Sequence, residues 1–524
     1  MFLGDLLRRN AFRYPSQTGI ETETRRMTWL ELNERVNRLA HGLLGLGLHK
    51  GDRIAVLSAP SAEVIETYFA AAKLGLVIVP VHTGLVEREV AFILNDVSAE
   101  AIVVEQEAAR DLEGAIDSVD SLNTKIVIGA HGAFIPYEQV LHDGPVDEPD
   151  VAVDETDLFS IRFTSGTTGL PKGCPNSHRD WLRRSINIVA HVPHSHHDCA
   201  LLLAPLSLGL GSSMFMSYSF VGAHVVIRRR FDPADVLRTI QSHGITTFMM
   251  PVPTLFAKLL DDPSVNDVDL SSLRLVGYGG AVFPVPLLLR TIERFRCDFF
   301  GVYGSLEAGG QSTYLLPADH RLEADAGEER QKRLRRLGSC GREALQADVR
   351  VVDSDGRELP RGEVGELVVR SEGMITAFWN RPGEIEKSLR NGWFHTGDAA
   401  SIDEDGYVYI SDRLKDIIRT GGMNVSSVDV ENVLLSYPGV LEAAVVGVPD
   451  PRWGETIIAF VVCKDPSAVL EHALLAHCRS QLANYKVPKR VEFIDAVPKN
   501  SMNKTLKREL RYRYARLNDA VRWS

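Results

Sequence analysis

Residues 163–173 read FTSGTTGLPKG. Thr164, Ser165, Thr167 and Thr168 supply hydroxyl donors around Gly166, and Gly169 precedes a single cation, Lys172. Hydroxyls, glycines that let backbone come close, and one positive charge are the parts of a polyphosphate grip. The competing reading is a flexible Ser/Gly surface loop. The grip is not that of a P-loop hydrolase, which needs G-x-x-x-x-G-K-[ST]. Pro171 stands before the lysine and lacks the N–H that such a cradle uses. Gly173 follows it, where a magnesium-holding hydroxyl would be required.

Four further stretches carry chemistry-capable residues. GYGGA (277–281) is glycine-rich, and YGSLE (303–307) sets a lone carboxylate, Glu307, after Tyr303-Gly304. GWFHTGD (392–398) ends on Asp398, and DRLKD (412–416) follows with Arg413 and Lys415. PKNSMNKTLKREL (498–510) is basic and by itself reads as a surface run. HVPHSHHDC (191–199) gathers four histidines, an acid and a thiol, but its spacing matches no standard zinc pattern.

Alternating elements must position these residues. Thr28-Trp-Leu-Glu31 is a capping-box pattern, with Leu32, Val36, Leu39 and Leu43 at helical spacing behind it. A short apolar strand (GDRIAVLS), a helix over 62–74 and a second strand (LVIVPV) follow. The pattern recurs through AIVVE, KIVIGA, FSIRFT, HVVIRR, TTFMMP and LRLVGYGG. It predicts an α/β fold with mainly parallel sheets and helices on both faces. Ligands of such sheets lie at the carboxyl ends of strands, which points to 163–173, 251–254, 278–284 and 303–310. Beyond about residue 345 the pattern becomes hairpin-like, and a small α/β unit begins near 412. The expected division is 1–411 and 412–524.

Bulk properties narrow the function. A chain of 524 residues exceeds one hydrophobic core. A formal charge of −11 disfavours a nucleic-acid binder. The six cysteines are scattered without a CxxC, as in reduced cytoplasmic proteins. MFLGDLLRRN mixes acid and base early, unlike a signal peptide. Ala200–Ile227 contains no Asp, Glu, Lys or Arg, yet Pro205, Gly209 and Gly211 break it into strand, loop, helix and strand, not a membrane span.

Taken in order, the motifs resemble those of the adenylate-forming (ANL) superfamily, and most of all its AMP-forming acyl- and aryl-CoA ligases. The resemblance covers nearly the whole chain. It implies a large N-terminal domain with a β-rich subdomain, and a small C-terminal domain that rotates about a hinge at Lys415. FTSGTTG with Lys172 would hold the ATP phosphates. Gly279, Gly280, Ala281, Tyr303 and Gly304 would border adenine, and Glu307 would help hold Mg²⁺. Asp398 and Arg413 would meet the ribose. Lys504 would be the catalytic lysine, by alignment on the family's Pro-Lys-Thr-x-x-Gly-Lys. Gly421 and Gly422 would line the pantetheine path, with Trp453 against the adenine of CoA and Tyr485, Lys486 and Lys489 near its phosphates. The expected reaction is acyl-adenylate formation with release of pyrophosphate, then transfer to CoA. Its expected co-substrates and cofactors are therefore ATP, Mg²⁺ and coenzyme A. The histidine-rich segment is expected to be an exposed connection before a core strand.

The sequence departs from the family at three places. Leu306 replaces a threonine, so a donor to the α-phosphate is absent or comes from elsewhere. Asn503 replaces a glycine before Lys504. Ser207-Leu208 stands where relatives have an aromatic and a histidine. With Gly209, Phe248, Pro251 and Val252, these two residues are expected to form a mostly apolar pocket. No acid lies between Ala200 and Arg230 to pair an amino group, which disfavours amino acids as substrates. An aryl, alicyclic or medium-chain carboxylic acid is expected. Alternatives are a stand-alone enzyme that loads a carrier protein, and a catalytically weakened binding homologue. No nucleic-acid partner is expected, and the reading leaves room for a homodimer.

Overall fold

The computed structural model describes residues 1–142, 144–164, 171–322, 327–414, 416–465, 469–499 and 505–522. The chain forms two compact units. The first comprises Met1–Phe283, Leu287–Asp348 and Val369–Phe394. The second comprises Pro284–Pro286, Val349–Val368 and His395–Ser524, so its long run begins ahead of residue 412 and takes Asp398 with it.

Local signals in the first unit act as their chemistry dictates. The Thr28 hydroxyl accepts from the Glu31 N–H at 3.2 Å, and the Glu31 carboxylate accepts from the Thr28 N–H at 2.8 Å. Such a cap contributes about 1 kcal/mol. The helix it starts, Trp29–Gly45, buries Leu32, Val36, Leu39 and Leu43. Ala62–Leu74 is helical and stops at Gly75, whose φ of 67° suits glycine.

Two sheets carry this unit among the described residues. A seven-stranded sheet runs Ile135–Pro136, Thr124–Ile128, Ala101–Glu105, Arg53–Leu57, Val77–Pro80, Leu158–Thr164, Lys172–Ser177. All its pairings are parallel except the last, an antiparallel hairpin. A nine-stranded sheet has a parallel centre: Asp298–Ser305, Leu275–Gly279, Thr247–Met250, Cys199–Leu202, His224–Ile227 and Thr18–Glu21. Its antiparallel edges are Gly310–Leu315 with Arg342–Glu343, and Arg26–Thr28. One apolar core joins residues of both sheets with Trp29, Phe69, Trp181 and Phe215. Each such side chain contributes about 1.5–3 kcal/mol on burial.

The charge-free stretch folds as a strand, the helix Gly209–Val221 and a strand. The helix is 13 residues long. No helix among the described residues is long and apolar enough to cross a membrane. The mixed-charge helix Gly327–Arg336 buries nothing. The histidine-rich segment departs from the expected exposed connection: His194 and Asp198 are buried. Asp198 accepts from Arg274 Nε at 2.6 Å and Thr246 Oγ1 at 2.7 Å, which offsets the cost of burying a carboxylate. No group of three or more metal-ligating side chains occurs among the described residues.

The second unit holds a five-stranded sheet in the order Met423–Val425, Ile418–Thr420, Gly454–Cys463, Val440–Asp450, with Arg490–Phe493 on Gly454–Cys463. Helices Ser427–Leu435 and Glu471–Gln481 pack Val430, Leu434, Leu474 and Cys478 into its core.

Candidate active site

The strands Leu158–Thr164 and Lys172–Ser177 pair antiparallel up to Thr164 opposite Lys172, so the two ends of the hydroxyl-rich segment are neighbours. Its centre, Ser165, Gly166, Thr167, Thr168 and Gly169, lies outside the described residues. The return strand contains Pro175 and sits at the sheet edge, where a missing N–H costs no ladder bond. Lys172 Nζ meets the Glu384 carboxylate at 2.6 Å and lies 5.0 Å over the Phe378 ring. Lys172 is the main cause of a Glu384 carboxyl pKa below the usual range, through their hydrogen bond. Lys172 is therefore paired with a carboxylate.

The glycine-rich strands meet at the carboxyl end of the parallel sheet, where Gly279 pairs with Val302. A Cβ at Gly279 would sit 2.7 Å from the Val302 side chain, and one at Gly304 would sit 1.8 Å from the Gly310 carbonyl oxygen. Close backbone packing already requires glycine at both places. Gly280, Ala281 and Gly304 are exposed and Tyr303 is half-buried. Glu307 is also half-buried, and among the described residues its carboxylate has no ion-pair or hydrogen-bond partner. A half-buried carboxylate with no partner among the described residues is a hard-oxygen ligand of the kind Mg²⁺ takes once or twice from protein.

Of the expected acid pocket, Ser207, Leu208 and Gly209 are half-buried where the helix Gly209–Val221 begins. Leu306 closes on Gly209: a Cβ there would lie 2.7 Å from Leu306 Cδ2. Pro251 and Val252 are half-buried just beyond the strand Thr247–Met250. Phe248 stands apart from them, fully buried with Phe256 and Phe295 at ring separations of 6.3 and 6.2 Å.

In the second unit Asp398 and Arg413 are direct cross-strand partners, with Arg413 Nε 2.8 Å from the Asp398 carboxylate. Asp398 is buried and Arg413 half-exposed, and Arg413 also donates to the Thr396 carbonyl at 3.2 Å. Gly421 and Gly422 have φ of 57° and 80°. The Gly421 N–H donates to the Trp453 carbonyl at 2.8 Å, so the glycine turn and the indole are neighbours. Trp453 is 42% exposed and carries Arg452 on its face at 4.8 Å. Lys486 is tied to Asp429 at 2.7 Å. Lys415 and Lys504 lie outside the described residues.

The structure adds residues that the sequence reading passed over. Glu384 is one. The others are Arg162 and Arg184, both buried against Trp181, with guanidinium carbons 4.5 and 5.1 Å from its ring. The available signal was Arg162 itself, a charge in the middle of the apolar strand FSIRFT.

Comparison with known proteins agrees with this layout. Residues 7–379 match the AMP-binding enzyme family, and residues 429–504 match the AMP-binding enzyme C-terminal domain. Feruloyl-CoA synthase of an Amycolatopsis species is 35% identical over 514 residues, 98% of this chain and 99% of that protein. Fatty acid–[acyl-carrier-protein] ligase ScoC of Streptomyces coeruleorubidus is 35% identical over 95% of this chain and 94% of its own length. Among solved structures, the anthranilate CoA ligase AuaEII in complex with anthranoyl-AMP superposes with a TM-score of 0.89 at 28% identity, covering 98% of this chain and 97% of that one. The large domain and the C-terminal domain are thus both matched in order, and the chain belongs to the AMP-binding enzymes of the adenylate-forming superfamily.

Proposed function

We propose that this enzyme is an AMP-forming carboxylic acid–CoA ligase of the cytoplasm, acting on a hydrophobic aryl, alicyclic or medium-chain acid. The observation that carries the reading is likeness along 98% of the chain to a protein named as a CoA synthase and to a ligase solved with an acyl-adenylate.

In the first step a carboxylate oxygen of the acid attacks the α-phosphorus of ATP. The bond to the α–β bridging oxygen breaks, and pyrophosphate leaves. Two anions must approach, so catalysis rests on positioning and on cations. The hydroxyl-rich segment, with Thr164 and Lys172 at its ends, holds the phosphates once Glu384 gives way. Glu307 would hold Mg²⁺, which supplies charge neutralisation at the phosphates. Asp398, oriented by Arg413, accepts from the ribose hydroxyls. Lys504 stabilises the charge on the reacting oxygens. In the second step the CoA thiol, losing its proton, attacks the acyl carbonyl and AMP leaves. Gly421 and Gly422 line the path of that thiol, Trp453 lies against the adenine of CoA, and a small domain from about residue 412 turns about Lys415 to present them.

A second reading is transfer to a carrier-protein phosphopantetheine, favoured by the likeness to a ligase named for an acyl-carrier protein. Pyrophosphate release from MgATP with a panel of acids, with and without CoA, separates the two. Sustained turnover only with CoA and a thioester of the expected mass supports the first. Release that stalls near one equivalent despite CoA supports the second. Lys504→Ala should lower adenylation by about 10²–10³-fold while sparing thioester formation from preformed acyl-adenylate. An adenylation rate near wild type removes Lys504 from the mechanism.

A further inference from the structure

Arg162 and Arg184 are 1% and 3% exposed, among the most deeply buried charges of the first unit. Arg162 donates from Nη2 to Asn176 Oδ1 at 2.8 Å, and Arg184 donates from Nε to the Gly309 carbonyl at 3.1 Å. The remaining donors, Arg162 Nε and Nη1 and Arg184 Nη1 and Nη2, have no partner among the described residues, nor does the Asn176 amide nitrogen. Among the described residues neither arginine has a carboxylate in ion-pair contact. Asp180, close enough to act on both, accepts instead from the Ser177 N–H and hydroxyl, each at 2.8 Å. Burial lowers the proton affinity of both guanidiniums, that of Arg184 to about 10, and the Arg184 charge lowers that of Arg162 further.

Two buried cations with their donors unmet are costly, and a cost of this kind is retained where a ligand of opposite charge removes it. The cluster borders the start of the helix Gly209–Val221. A Cβ at Gly209 would lie 3.7 Å from Arg162 Nη1, with Leu306 on its other side. Gly209 and Leu306 border the acid pocket, and Leu306 is the position where the hydroxyl is missing.

We propose that Arg162 and Arg184 form the cationic floor of the acid pocket and hold a carboxylate of the substrate acid. This rests on the acid-activating reading given above. Guanidinium suits the task because its fork of N–H donors matches the two oxygens of a carboxylate. That carboxylate is either the reacting one or a second one at the far end of a diacid, and the chemistry of recognition is the same.

The test compares wild type with Arg162→Met and Arg184→Met, using benzoate, terephthalate, octanoate and suberate as probes. The readouts are KM for acid and for ATP by pyrophosphate release, the melting temperature of the free proteins, and the acid-induced melting shift without ATP. Each variant should raise KM for acid by about tenfold or more, leave KM for ATP within about twofold, and abolish the acid-induced shift. The free variants should melt no lower than wild type, because an unpaired buried charge has been replaced by an apolar chain. Equal loss on all four acids assigns the reacting carboxylate, and loss on terephthalate and suberate alone assigns a second one. Unchanged KM for acid with a lower melting temperature would mean a structural pair, and a rise confined to KM for ATP would mean a phosphate ligand; either overturns the proposal. Should a Met variant fail to fold, Arg162→Lys is read in the same way, since lysine keeps the charge and loses the fork. If wild type releases pyrophosphate with no acid of any class, the ligase reading itself fails, and the acid-induced shift alone then decides whether the floor binds carboxylates.

Discussion

The first unit buries cations in two opposite ways. Lys73, 3% exposed, directs its ammonium at Asn33 Oδ1 (2.7 Å), Asn37 Oδ1 (2.6 Å) and Glu148 (2.6 Å). Three donors meet three acceptors, which is all a lysine can do. That cluster ties the helices Trp29–Gly45 and Ala62–Leu74 to the segment around 148, and nothing in it asks for a ligand. Arg162 and Arg184 are as deeply buried and leave donors unmet among the described residues. Depth of burial is therefore no guide to role. A satisfied charge is structure, and an unsatisfied one calls for a partner, here the proposed carboxylate.

The contrast can be broken first at its satisfied end. Glu148→Ala should remove about 2–3 kcal/mol of stability, near the lower end for a buried pair because Glu148 is itself partly exposed. Urea unfolding measures it, and KM for acid and ATP should not move. Kinetic change without lost stability would place Lys73 among functional charges and dissolve the contrast.

A third kind of buried titratable group, kept neutral, sharpens it. His178, His194 and His320 are buried, and burial lowers each from 6.5 to about 4. Between those values the unfolded chain binds more protons than the folded one. Stability is therefore full above about pH 6.5 and falls as pH drops toward 4, by up to about 1.4 kcal/mol per pH unit for each histidine. Both ring nitrogens of His194 are unpartnered among the described residues, with Tyr218 and Phe300 rings at 5.0 and 6.3 Å. His194→Phe should flatten that slope by about a third. Unfolding midpoints from pH 7.5 to 4.5 read it, and an unchanged slope would mean that His194 is charged when folded.

The smallest effect is expected at Glu384, whose pair with Lys172 is partly exposed. Glu384→Gln should lower KM for ATP by about twofold to threefold, the scale of a surface ion pair, with a weaker dependence on salt. A rise instead would mean that Glu384 holds Lys172 in place for the phosphates.

Much of this was legible in the sequence because it rests on local chemistry. The Thr28–Glu31 box, the helix over 62–74 and the apolar strands each follow from neighbouring residues. The strand 172–177 was not legible: KGCPNS has neither alternation nor β-branched residues, and its pairing with FSIRFT supplies the order. Asp398 and Arg413 are 15 positions apart in the sequence, and only strand register makes them partners. The Arg162–Trp181–Arg184 stack depends on a strand packing against the following helix, which no single-segment pattern contains. Asp198 looked like a loop residue because its partners, Thr246 and Arg274, come from 48 and 76 residues further along the chain.

Gly304 bears on how this enzyme would answer a saturating mutational scan. With 1.8 Å between a Cβ at that position and the Gly310 carbonyl oxygen, any side chain would force the two strands apart. Every variant there should disappear under selection for soluble expression alone, before catalysis is selected at all. Intolerance at Gly304 would then report on the hairpin and not on the nucleotide. Exposed Ala281, free of that constraint, is the position in the same strip whose tolerance would speak for adenine.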